Sequence, residues 1–269
     1  MTDRIVINGK VKIQYRIIYG NDVPIILLHG LTSSYKAWDK MLPFLSELSR
    51  TIIMPDMRGC GLSSRPERAD YYELEKHAED IKLLMEKERI KKAVIVGHCF
   101  GSMVGATFGS LYPQKTERLI LVNTGFNLPW FINSAVSYYP MKILSLIIAF
   151  LIKASYTGDR IDYSQFSYLP DVELKRLLLD VRATGIGSLF RQFIALGKWQ
   201  GKRYFKNLSI PVLVLAGKHD SIYPSGDTNR VMSVIKHAKG EYIEGNHILI
   251  INNAREIYQK ITEYLALSL

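Results

Sequence analysis

The chain has 269 residues, 48% of them hydrophobic, and a formal net charge of +10. A chain of this length buries a sizeable core, and two cysteines, Cys60 and Cys99, are too few for a secreted disulfide framework, so a reducing compartment is expected. The charges are of mixed sign, with only short clusters such as Lys91-Lys92 and Lys202-Arg203, which reads as a solvated surface and predicts no nucleic-acid partner.

Taken from its start, the chain alternates polar and apolar residues and lacks the unbroken apolar core of a signal peptide, so a strand and a cytoplasmic location are expected. Asn8-Gly9, between alternating runs at residues 5–7 and 11–17, predicts a two-residue hairpin turn, because both residue types accept positive φ. Short β-rich apolar runs follow at residues 25–28, 51–54, 93–96, 119–122, 212–216 and 241–243. Between most of them lie helical patterns. Over residues 72–89, for example, Leu74, Ala78, Ile81, Leu84 and Met85 recur at helical spacing. Strand alternating with helix predicts an α/β fold, a mostly parallel sheet with helices on both faces.

That rhythm breaks after Val122. Residues 129–205 read as almost wholly helical, which predicts a helical cap (lid) inserted into a core made of residues 1–128 and 206–269. Within the cap, the run at residues 143–152 is apolar nearly all round, yet ten residues are too few for a bilayer span, which needs about twenty. A helix buried between cap and core is the first reading of it. The wall of an acyl tunnel and a contact with a membrane surface are the alternatives.

Glycines two before and two after a residue relieve crowding where a strand turns sharply into a helix, and "VIVGHCFGSMVG" has that form, with Gly97 and Gly101 flanking Cys99. Such a turn lifts a side chain above the sheet and sets it at a helix N-terminus, which favours an anion. For a thiol this promotes the thiolate, the nucleophilic form. On this string alone, a small packed cysteine remains an equal reading of Cys99.

Further segments decide between those readings. "IILLHGLTSS", "MPDMRGCGLSS", "IPVLVLAGKHDSIYP" and "IEGNHILI" occur in that order around the elbow, and together the five segments resemble the α/β-hydrolase fold family over almost the whole chain. The resemblance implies a triad of Cys99 as nucleophile, Asp220 as acid and His247 as base, with the backbone N–H groups of Leu31 and Phe100 as the oxyanion hole. An imidazole exchanges protons near neutral pH, a buried carboxylate orients it, and fixed backbone donors stabilise an oxyanion without reorganising. Most relatives with this elbow carry serine, so the cysteine departs from the commonest pattern.

The resemblance implies a hydrolase for carboxylic esters or thioesters that works through a covalent acyl-enzyme on a small-molecule acyl substrate. Acyl transfer from the same thioester, a serine hydrolase carrying a serine-to-cysteine change, and ligand binding without turnover are the alternatives. Trp130, Phe131, Tyr138, Tyr139 and Phe150 are the expected cap contacts to an apolar acyl group. No cofactor is expected, and no His/Cys spacing forms a zinc site. Asp56 and Arg58 read as a loop-fixing pair, Cys60 as a packed thiol, His98 and His219 as frame residues, and His77 and His237 as members of helices.

Overall fold

The computed structural model describes residues 1–127, 143 and 160–267. A hairpin of β1 (Thr2–Asn8) and β2 (Val11–Ile18) leads into β3 (Asp22–Leu28), β4 (Arg50–Pro55), β5 (Ala93–His98), β6 (Thr116–Val122), β7 (Val212–Gly217) and β8 (Ala238–Ile243). These eight strands form one sheet in the order β1-β2-β4-β3-β5-β6-β7-β8. The pairings of β1 with β2 and of β2 with β4 are antiparallel; all the others are parallel.

The hairpin differs from expectation by one residue. Asn8 pairs with Val11, so the turn is Gly9-Lys10 and only Gly9 takes positive φ, 59°. Asn8 is held in the strand because its side-chain amide donates to Asp80 Oδ1 at 2.9 Å.

The central strands are continuous Val, Ile and Leu runs because both sheet faces are covered. Along β3, Ile26 and Leu28 enter one apolar cluster and Ile25 and Leu27 enter the other, the two-residue period of a strand. The first cluster takes side chains from α2 (Leu74–Lys87), α3 (Phe100–Leu111) and, beyond the insertion, from α7 (Ser225–Val234). The second takes side chains from the segment after β3, which includes α1 (Leu42–Leu45), and from α8 (Leu249–Asn252) and α9 (Ala254–Ala266).

Between β6 and β7, residues 160–173 are mostly irregular, where a helical pattern was expected. They lead into α4 (Leu174–Thr184), α5 (Ile186–Lys198) and α6 (Gly201–Lys206). Phe205 of α6 is fully buried in the first cluster, and Trp199 Nε1 donates to Thr107 Oγ1 of α3 at 3.1 Å, so this end of the insertion is packed on the sheet's helices. Among the described residues no helix is long and apolar enough to cross a membrane. The run at residues 143–152 lies outside the described residues except Ile143, which is exposed.

The strand order positions the site. From β3 the chain passes outward to β4, and from β5 it passes the other way to β6, so the loops leaving these two neighbours diverge. In open parallel sheets a crevice opens at such a switch in strand order, beyond the carboxyl ends.

Candidate active site

Cys99 follows β5 directly and has φ 53° and ψ −113°, a backbone state that few non-glycine residues adopt. The flanking glycines permit it. A Cβ on Gly97 would overlap the Gly101 carbonyl, and one on Gly101 would overlap the Leu28 carbonyl of β3. Ser102 closes the turn from below: its hydroxyl donates to Gly97 O at 2.6 Å and accepts from Val122 N–H at 3.1 Å. Cys99 is left half-buried with a free thiol.

The loop after β3 approaches this elbow closely. A Cβ on Gly30 would stand 3.1 Å from His98 Nδ1 and 3.6 Å from Cys99 Cβ, so Leu31 follows beside the thiol. His29 fixes the loop, accepting Met57 N–H on Nε2 at 3.0 Å and donating from Nδ1 to Gly30 O at 2.7 Å. Burial pushes its pKa down, consistent with that neutral tautomer. Phe100 is the first residue of α3, whose first amides have no acceptor within the helix.

The loops after β7 and β8 bring in Asp220 and His247. Asp220 Oδ1 accepts the N–H groups of Ile222 and Tyr223, both at 2.8 Å, which leaves Oδ2 to take Nδ1 of His247 at 2.9 Å. Burial opposes charge on His247, but the Cys99 and Asp220 side chains outweigh it and raise its pKa to about 10. The imidazole thus lies between the carboxylate and the thiol, disposed to carry a proton.

Several residues that hold these loops gave no sign of it in the sequence. Asn123, at the end of β6 with φ 49°, donates to the carbonyls of Asn246 and His247 at 3.1 and 2.7 Å and accepts Gly217 N–H at 2.8 Å. Its only legible signal is an Asn after a strand, a residue type that tolerates left-handed backbone. Asp171, in the insertion, accepts His247 N–H at 2.6 Å on Oδ1, and on Oδ2 it accepts Ser221 N–H at 2.8 Å and Ser221 Oγ–H at 2.6 Å.

His98 donates from Nε2 to the His247 carbonyl at 2.8 Å; burial, with His247's charge adding, presses its pKa down to about 3, so it stays neutral. Asp56 and Arg58 do not pair with each other. Asp56 takes the N–H groups of Tyr35 and Leu62 and the guanidinium of Arg160, each at 2.9 Å, whereas Arg58 makes a two-pronged ion pair with buried Asp80. Cys60 is fully buried, and burial pushes its thiol up to about 12. His219 is exposed against Glu244, and His77 lies in α2 with its ring nearly perpendicular to that of Phe100, centroids 5.1 Å apart. His237 sits in a turn before β8 rather than in a helix.

Above Cys99 and His247 lies a cavity of about 490 Å³. Its apolar wall includes Val172, Leu177 and Val181 of the insertion, Leu189 and Phe193 of α5, and Ile248. Its polar corner is a chain of hydrogen bonds in which Ser33 donates to Tyr163 at 3.0 Å, Tyr163 donates to Asp180 at 2.7 Å, and Arg176 pairs with Asp180 at 3.0 Å. Burial raises Asp180 to about 6 in spite of Arg176. Trp130, Phe131, Tyr138, Tyr139 and Phe150 lie outside the described residues. Among the described residues, no three His, Cys, Asp or Glu are grouped to hold a metal ion.

A strained elbow after the fifth strand, with the Asp220 and His247 loops after the seventh and eighth, defines the class: the chain has the α/β-hydrolase fold. The model of the α/β-hydrolase fold matches residues 23–148. A hydrolase from Pseudomonas aeruginosa superposes with a TM-score of 0.80 at 21% identity, covering 98% of both chains. The enol-lactonase from Burkholderia xenovorans gives 0.75 at 18% identity, covering 98% of this chain and 100% of its own. In sequence, the chain is similar to human Protein ABHD8, 24% identical over 261 residues. That match covers 91% of this chain and 55% of the human protein, so the chain spans about half the length of that relative.

Proposed function

We propose that the protein hydrolyses carboxylic esters or thioesters through Cys99, His247 and Asp220, by way of an acyl-thioester on Cys99. The observation that carries this reading is the placement of His247 between Asp220 and Cys99 at the floor of an apolar cavity. The Cys99 thiolate attacks the carbonyl carbon, and the displaced electron pair rests on the oxygen beside the N–H groups of Leu31 and Phe100. His247 gives its proton to the leaving oxygen or sulfur as that bond breaks. Once the thioester has formed, His247 has given its proton to the leaving group, and with the Cys99 charge gone its pKa falls, so the imidazole stays neutral and takes a proton from the attacking water. The hydroxide so formed attacks the thioester and expels Cys99 as thiolate.

Residues 160–206 act in this reading as the inner face of the cap over an apolar acyl group. Burying one methylene contributes about 0.8 kcal/mol, roughly a fourfold gain in kcat/KM, so esters with several methylenes should outperform acetyl esters. The two free thiols fit a reducing, cytoplasmic setting.

The test is intact-protein mass spectrometry with product release on a panel of p-nitrophenyl esters, applied to the wild type, Cys99→Ser and Cys99→Ala. The wild type should gain one acyl mass and turn over, and Cys99→Ala should lose about 10³-fold or more in rate. Acylation that stalls in the wild type while Cys99→Ser turns over would reassign the scaffold to serine chemistry. Acyl transfer to an added alcohol in preference to water would favour a transferase. No acylation across the panel would sink the catalytic reading.

A further inference from the structure

Asp171 belongs to neither of the loops that carry the acid and the histidine, yet its carboxylate binds both. Oδ1 takes the backbone N–H of His247 at 2.6 Å, and Oδ2 takes the N–H and hydroxyl of Ser221, the neighbour of Asp220, at 2.8 and 2.6 Å. Its own carbonyl accepts from Arg176 of α4 at 3.2 Å, and Arg176 is paired with Asp180, both lining the same cavity as Leu177 and Val181. Asp171 and the next residue, Val172, themselves line the cavity. One side chain of the insertion therefore fixes the spacing of the Asp220 and His247 loops, and it sits on the segment that contacts whatever fills the pocket.

We infer that Asp171 is a positioning residue, which makes correct seating of the inserted segment a condition for a competent Asp220–His247 pair. It touches no reacting atom. Its action passes through two backbone amides and one hydroxyl, and no neutral side chain of the same size reproduces it. An amide at this position accepts on one end only, so it can serve one loop while its NH₂ group confronts a donor on the other. A shift of the imidazole by an ångström or less is enough to matter, since misplacements of that size cost about 10²-fold in rate.

The inference rests on the proposed function only where ester turnover is the readout, so a second readout is used that needs no acyl substrate: alkylation of Cys99 by iodoacetamide at pH 7. Asp171→Asn should lower kcat by about 10- to 100-fold with KM little changed, and should slow alkylation in the same direction. Ser221→Ala removes one of the three hydrogen bonds from an exposed position and should give a smaller loss of the same kind. The double variant should fall no further than Asp171→Asn alone, because both act through one carboxylate. A higher KM with unchanged kcat would overturn the inference by reducing Asp171 to pocket wall. A lower melting temperature with unchanged kcat and unchanged alkylation would overturn it by reducing the residue to a structural tie. If Asp171→Asn does not fold, Ser221→Ala decides alone: slower turnover and alkylation support the inference, and wild-type values overturn it. Slower alkylation in a variant whose wild type turns over no ester would leave the positioning role standing and remove the ester reading.

Discussion

Cysteine and serine differ at this elbow in when charge exists. In the proposed pair, the charge of the Cys99 side chain is the largest of the influences that raise the His247 pKa to about 10. A hydroxyl carries no such charge. The His247 imidazole in Cys99→Ser should therefore titrate well below the wild-type value, as followed by the ring-proton NMR shifts against pH; equal titration in both proteins would show that Asp220 alone holds the proton. Asn123 is the second residue on which the site depends. Asn123→Ala would leave the buried Gly217 N–H and the Asn246 carbonyl without this partner, at a cost of about 3 kcal/mol in urea unfolding. Lower activity should accompany it, because the same amide holds the His247 carbonyl.

At the scale of elements, the glycines of "VIVGHCFGS" made the elbow readable, since a strand can turn over its neighbour only where Cβ atoms are missing. The buried apolar runs made the strands readable for an equally local reason. What stayed hidden were contacts made across the chain. Asp171 follows a proline in a polar turn and looks like a helix start, and nothing near it in sequence signals the His247 and Ser221 amides that it takes. Arg58 lies two residues from Asp56, which invited a local pair, whereas its partner Asp80 is on α2. The docking of the insertion was equally distant: Trp199 reaches Thr107 of α3. Trp199→Phe keeps most of the apolar packing but removes that hydrogen bond, and should cost about 1 kcal/mol in the urea midpoint while the elbow's chemistry persists.

For the molecule as a whole, stability should depend on pH through the pocket's polar corner. Asp180 has its pKa raised by burial from 3.8 to about 6 in the folded state. A group raised on folding contributes stability that is full below its unfolded value, here near 4, and lost as pH rises through 6. The wild type minus Asp180→Asn difference in unfolding free energy should fall across that window. A difference that grows with pH would mean that Arg176 outweighs the desolvation of the carboxylate.

The convergence of three distant loops on one sheet edge also has a meaning in time. During synthesis the strand and helix around Cys99 leave the ribosome well before Asp220, and Asp220 before His247. Until the last of these has emerged and packed, the His247 imidazole and the Asp220 carboxylate that holds it are not yet beside Cys99. The nascent chain thus carries Cys99 without the partners that the proposed chemistry needs, and the order of residues along the chain delays assembly of the site until the fold is nearly finished.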